Sequence, residues 1–108
     1  MQNRNKLVDL FIGNISNYIV HKILEMAIDD SEIINKYKKE SKASFDIAKK
    51  YREKINPISK LHDSLDIKEK IMKRVKNELN DRIKRGYEGI DLGLVEIVTS
   101  DALKELNT

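Results

Sequence analysis

From Leu7 to Ile28 the chain reads LVDLFIGNISNYIVHKILEMAI, and 14 of these 22 residues are apolar. The apolar residues recur at three- and four-residue spacing, which is the period of one face of an α-helix. They are Val8, Ile12, Ile15, Ile19, Ile23 and Met26, flanked by Leu7, Phe11 and Tyr18 on one side and by Val20, Leu24 and Ala27 on the other. Because an ordinary surface helix has a narrower apolar stripe, residues 4–28 are predicted to form a helix that is either central in a bundle or buried twice, in its own core and against a partner.

A second helix is predicted after a short polar break. Asp29 and Glu32 have the three-residue spacing of a capping box, which marks a helix N-terminus. The helix is expected to run to about Ile55, because Pro57 follows and the residue before a proline is pushed out of helical geometry. Its predicted apolar face consists of Ile33, Ile34, Tyr37, Phe45, Ile47, Ala48, Tyr51 and Ile55.

A third helix is predicted from either Ser59 or Asp66 to Arg85, with Gly86 well placed to cap its C-terminus. Its spacing is close to a heptad repeat, which suits an antiparallel bundle or coiled coil. The predicted core stripe consists of Leu61, Leu65, Met72, Val75, Leu79 and Ile83.

The last 22 residues, 87–108, fit two interpretations. Residues 91–106 can form a helix, or residues 92–98 can form a strand that a short helix follows. The sequence offers no second strand to pair with, and a lone strand is not stable, so the helix is favoured. The predicted fold is all-α: a single domain over residues 1–108, built as an elongated antiparallel bundle of three long helices plus a shorter C-terminal helical segment.

Several functional classes are excluded by composition. The chain has no cysteine, which excludes disulfide frameworks, thiol nucleophiles and thiolate metal sites. The N-terminus lacks the pattern of a signal peptide, and no apolar run reaches the roughly 20 residues of a membrane span. We therefore expect a cytoplasmic protein without a membrane partner, and we predict no catalytic residue, metal ligand or cofactor-binding residue.

The first helix offers one candidate metal site. His21, Glu25 and Asp29 are spaced four residues apart, so they share one helix face and a divalent ion could bridge them. The alternative is a solvated polar edge on a mostly apolar helix, and this alternative is favoured because no further ligands can be identified on a facing helix.

A second pattern also involves histidine and aspartate. The order His21, His62-Asp63, Asp101 resembles the ligand order of the HD-type metal phosphohydrolases, an all-helical family. The resemblance covers these four residues and no surrounding sequence, and Asn56-Pro57 interrupts the chain just before the His-Asp pair. It implies a small metal-dependent phosphohydrolase, which is the third functional hypothesis.

The leading hypothesis is a non-enzymatic interaction protein that works as a homo-oligomer, most simply a two-fold dimer. The first helix has more apolar area than one core requires, and such surplus area commonly marks an interface. The predicted interface is Val20, Leu24 and Ala27. On this hypothesis Ile19→Glu should unfold the protomer, whereas Leu24→Glu should give a folded monomer.

The second hypothesis is a nucleic-acid-binding accessory protein. The net charge of +3 conceals a middle segment, residues 36–86, with 17 basic and 8 acidic residues and a net charge of +9. A basic surface of this kind can follow the phosphates of a nucleic acid. The candidate phosphate-contacting residues on the third helix are Lys70, Lys73, Arg74, Lys84 and Arg85, and the second helix offers Lys36, Lys39, Lys50 and Lys54. The alternative is a solvated face, since no exposed aromatic residue is interleaved for base stacking.

Overall fold

The computed structural model describes residues 4–55 and 64–106, and it contains no strand within these ranges. The four helices are α1 (Arg4–Ala27), α2 (Ser31–Lys54), α3 (Ser64–Lys84) and α4 (Leu94–Glu105). The predicted all-α class is confirmed, as is the choice of helix for the C-terminal segment. The molecule measures about 41 × 23 × 22 Å along its principal axes.

The first helix is the centre of the bundle. It packs against all three other helices, and α3 also packs against α4. Its large apolar side chains in the core are completely buried: Phe11, Ile15, Ile19, Ile23 and Leu24 are all 0% exposed. Of the two possibilities that the sequence left open, the central position explains why apolar residues surround α1 on more than one side.

The hairpin between α1 and α2 is set by Asp30 and not by Asp29. The Asp30 carboxylate accepts hydrogen bonds from the backbone N–H groups of Glu32 and Ile33, at 2.9 and 3.3 Å. Asp30 is therefore the N-cap of α2, and the predicted Asp29–Glu32 capping box is wrong by one residue. Further along the hairpin, the rings of Tyr18 and Phe45 pack with their centroids 4.8 Å apart.

The core stripe of α3 differs from the predicted one. Ile67, Ile71, Val75 and Leu79 are buried, whereas Ile83 is 40% exposed. The heptad reading missed Ile67 and Ile71 because it followed a seven-residue line, while the buried positions recur every four residues. Met72 lies at the half-buried edge of the stripe. Leu61 and Leu65 of the predicted stripe lie outside the described side chains.

The end of α3 follows the prediction for Gly86. Gly86 has a φ of +100°, and its N–H donates to the carbonyl of Ile83, while the N–H of Tyr87 donates to the carbonyl of Arg82. These two bonds form a Schellman motif, which satisfies carbonyls that the helix end would leave without partners.

Some apolar side chains that were predicted to face inward are exposed. Met26 is 61% exposed, Ile47 is 42% exposed and Ile33 is 41% exposed. For α2 the reason is its packing, because α2 joins the rest of the fold mainly through α1. Contact with one helix covers only part of a wide apolar face, and it leaves Ile33 and Ile47 at the edges.

Candidate functional site

All five residues predicted to contact phosphate have exposed side chains on α3 or directly after it. Burial of Ile71, Val75 and Leu79 turns the opposite side of the helix, with Lys73 and Asn77, toward solvent. The exposed basic residues are Lys70, Lys73, Arg74, Lys84 and Arg85. The structure therefore brings these side chains onto one outward-facing part of the molecule.

Two open grooves lie on this surface and share Lys73 and Asn77 as the ridge between them. The first groove, here called the Arg74 groove, has a volume of about 430 Å³ and is lined by Lys70, Lys73, Arg74, Asn77 and Glu78. The second, here called the Met72 groove, has a volume of about 450 Å³ and is lined by Glu69, Met72, Lys73, Lys76, Asn77 and Asn80. The ridge thus separates a mainly cationic groove from one in which a thioether, amides and a carboxylate accompany the cation Lys76.

Ion pairs within α3 change the charge that this surface offers. Arg82 Nη1 lies 3.2 Å from Glu78 Oε2, and Arg85 Nη2 lies 2.9 Å from Asp81 Oδ2. Arg85 therefore presents its charge next to an opposite one, and it attracts phosphate less strongly than the sequence indicates. Four other cations form no ion pair with any described residue, and they are Lys73, Arg74, Lys76 and Lys84.

The guanidinium group of Arg74 lies against α1 at Gly13. A Cβ atom built on Gly13 would be 3.7 Å from Arg74 Nη2, which is ordinary van der Waals contact. The atoms nearest to this position all belong to the Arg74 side chain, so no other described backbone segment crosses closely at Gly13. The contact supports one edge of the Arg74 groove on the central helix.

The predicted oligomer interface is covered by the chain itself. Val20 is 3% exposed and Leu24 is 0% exposed, and both belong to the core that the four helices share. Ala27 is partly exposed, and a Cβ atom on Gly89 would lie 3.2 Å from its carbonyl oxygen. Val20 and Leu24 therefore have no side-chain surface left for a second copy, because α1 is central and not buried twice.

The residues of the candidate metal site are separated by other contacts. His21 Nε2 lies 3.2 Å from Glu40 Oε2 on α2, and the His21 ring stacks on Tyr37 with centroids 5.5 Å apart. Glu25 accepts a 3.4 Å hydrogen bond from the Ser41 hydroxyl, while Asp29 is exposed. Within the described ranges no group of three or more His, Asp or Glu side chains is arranged to hold a metal ion.

His21 lies in the contact between α1 and α2. Burial lowers the pKa of its imidazole from the ordinary 6.5, the Glu40 carboxylate opposes this effect, and Arg82 adds a further lowering. The Nδ1 atom is buried and has no hydrogen-bond partner among the described residues. Since one ring nitrogen faces Glu40 and the other is inaccessible, the geometry suits helix packing better than acid–base chemistry on a substrate.

The HD-type order of residues receives no geometric support. His62 and Asp63 lie outside the described residues, Asp101 is exposed on α4, and His21 faces Glu40.

Sequence reasoning missed the residues that complete the Met72 groove. Lys76 and Asn80 are exposed, and they lie four and eight residues after Met72 on the same edge of α3. Because Met72 was assigned to the core, the edge of α3 that it shares with Lys76 and Asn80 was not recognised as exposed surface. The spacing of Lys76 and Asn80 alone could have shown that they share an edge.

Comparisons of the chain with family models, curated proteins and solved structures found no match. Among the described residues, no helix combines the length and the apolar character needed to cross a membrane. The function has to be argued from the chemistry of the side chains themselves.

Proposed function

We propose that this protein is a non-enzymatic binding module whose ligand is a nucleic acid, held along the outward side of α3. The observation that carries the proposal is a set of four cations across the outward side of α3: Lys73, Arg74, Lys76 and Lys84. These four cations are exposed and form no ion pair with any other described residue. Phosphate neutralisation by lysine and arginine supplies most of the affinity in sequence-independent nucleic-acid binding.

The charge distribution along the chain supports the same ligand. Residues 36–86 have a net charge of +9, while residues 1–35 and 87–108 have net charges of −2 and −4. A polyanion is attracted to the basic segment, which includes α3, and is repelled by the two acidic ends. Lysine outnumbers arginine, and lysine is a point charge without the planar fork that reads bases, so a weak sequence preference is expected.

A charge-neutralised variant tests this proposal. Replacing Lys73, Arg74, Lys76 and Lys84 together by glutamine should weaken nucleic-acid binding at least about tenfold at low salt, because four phosphate contacts are lost. Fluorescence anisotropy with a labelled oligonucleotide measures the affinity, and circular dichroism checks that the helices are unchanged.

The matched control removes the same charge from α2. Lys36, Lys39, Lys42 and Lys50 are all exposed, and their replacement by glutamine should change the affinity much less. Equal losses in the two variants would mean that overall charge, and not the α3 surface, controls binding. No binding by the wild-type protein at low salt would contradict the proposed function itself.

A homo-oligomer is the second candidate, on different residues from those predicted. Met26 is 61% exposed and Ile97 is 60% exposed, and large apolar side chains favour association where they belong to a contiguous exposed patch. Sedimentation at high micromolar concentration tests it. If the wild type forms a dimer and both Met26→Ser and Ile97→Ser form the same dimer, these residues are excluded as the interface. If the wild type stays a monomer, the homo-oligomer candidate is excluded.

A further inference from the structure

The two grooves on α3 differ in the chemistry that they offer. The Arg74 groove contains three basic side chains, and its carboxylate, Glu78, is held by Arg82 at 3.2 Å. The Met72 groove contains the amides of Asn77 and Asn80, the half-buried thioether of Met72, and the Glu69 carboxylate, together with Lys73 and Lys76. No ion pair with a described residue offsets Glu69, so its charge weakens the attraction of a phosphate to Lys76 on that side.

This difference matches the two parts of a nucleotide. Phosphate oxygens are neutralised by cations, which the Arg74 groove supplies. Base edges present both donors and acceptors, and the Asn77 and Asn80 amides offer both as well. A carboxylate such as Glu69 accepts hydrogen bonds from base amino groups, and a methionine sulfur makes favourable contacts with aromatic rings. Bases therefore suit the Met72 groove and phosphates suit the Arg74 groove.

A duplex fits this arrangement poorly. A helix in the major groove of duplex DNA has a phosphate backbone on each side of it, across a width of about 12 Å. Such a helix requires cations on both of its edges, yet one edge of α3 has a single cation, Lys76, and it lies beside the Glu69 carboxylate. A single strand has its phosphates along one side and its bases along the other, which is the division made by the Lys73–Asn77 ridge.

We infer that the ligand is a single-stranded nucleic acid, laid along α3 with its phosphates in the Arg74 groove and its bases in the Met72 groove. The inference rests on the proposed function and narrows its ligand to one class. The described part of α3 has no aromatic side chain for base stacking, so base contacts come from amides and a thioether. The ridge residue Lys73 borders both grooves and lies where the two halves of a nucleotide meet.

Fluorescence anisotropy with the full chain tests this inference. Labelled single-stranded DNA, single-stranded RNA and duplex DNA of one mixed sequence, each about 20 nucleotides long, are compared at about 50 mM salt. At least one single strand should bind about tenfold more tightly than the duplex, since only a single strand can add base contacts to phosphate contacts.

Two variants separate the two grooves. Asn80→Ala removes one base contact and should weaken single-strand binding about fivefold without changing its salt dependence. Lys73→Gln combined with Arg74→Gln should weaken binding and also reduce the slope of log affinity against log salt by about 0.7 for each cation. Asn35→Ala, which removes an exposed asparagine from α2, is the matched control and should bind like the wild type.

Each outcome bears on a different part of the account. Tighter binding of a single strand, together with a loss in Asn80→Ala and no loss in Asn35→Ala, supports the inference. Equal or tighter duplex binding, or an unchanged affinity in Asn80→Ala, overturns the inference and leaves the proposed function standing. No binding of any of the three oligonucleotides at low salt overturns both.

Discussion

His21 shows how a single side chain responds to the helices around it. It faces Glu40 and stacks on Tyr37 from α2, and it lies close enough to Arg82 on α3 for the guanidinium charge to lower its pKa. Burial has the larger lowering effect, so the folded protein binds a proton at His21 less readily than the unfolded chain does. Because burial outweighs the opposing effect of Glu40, the folded state is favoured most when His21 is neutral.

This predicts a definite sign for the pH dependence of stability. The stabilisation by neutral His21 is complete above the unfolded pKa of 6.5, and it is lost as the pH falls through that value and toward the lower folded pKa. His21→Gln keeps a neutral donor toward Glu40 and should reduce the loss of stability between about pH 7.5 and 5.5. Urea unfolding at the two pH values measures it. An equal loss in wild type and variant would contradict this account of His21.

The ends of the helices are where single elements can be tested. Gly86 ends α3 at a φ of +100°, and no atom lies within 4 Å of the position of an added Cβ. Gly86→Ala should therefore cost about 1 kcal/mol through backbone strain alone, without a steric clash. Gly86→Asn should cost less, because asparagine tolerates this conformation better than alanine does. Thermal unfolding measures both variants, and equal costs would contradict an origin in the backbone.

The helices themselves were predictable because their apolar periods are long and their breaks contain Asp, Pro and Gly. Apolar periodicity placed α1, and Gly86 gave the end of α3. The edges of the apolar faces were not predictable, as Ile83 and Met72 show. Whether an edge residue is buried depends on which neighbouring helix reaches it. This depends on the angle at which the helices pack, and one sequence does not contain that angle.

For the whole molecule, the central position of α1 changes the expected result of a charge substitution. Leu24 is 0% exposed, so Leu24→Glu should unfold the protein as Ile19→Glu does, because an unpaired buried carboxylate costs several kcal/mol. Met26→Glu, two residues away at an exposed position, should fold normally. Circular dichroism compares the three variants. A folded Leu24→Glu protein would mean that α1 is not central.

The candidate site was predictable as a set of charges but not as a shape. The row of basic residues on the third helix followed from periodicity, and all five predicted residues are exposed. The ion pair of Arg85 with Asp81 depends on side-chain conformation. The packing of the Arg74 guanidinium against Gly13 depends also on the position of α1. The grooves depend in the same way on side-chain conformation along α3, which the sequence does not give.

The central claim, that cations on α3 bind nucleic acid, is tested most directly by the salt dependence of binding. Anisotropy titrations of the wild-type protein from about 50 to 200 mM salt give the slope of log affinity against log salt. Neutralising four phosphates predicts a slope of about −2.8 on a single strand, from about −0.7 for each contact. A slope near zero, or no binding at the lowest salt, would contradict the claim.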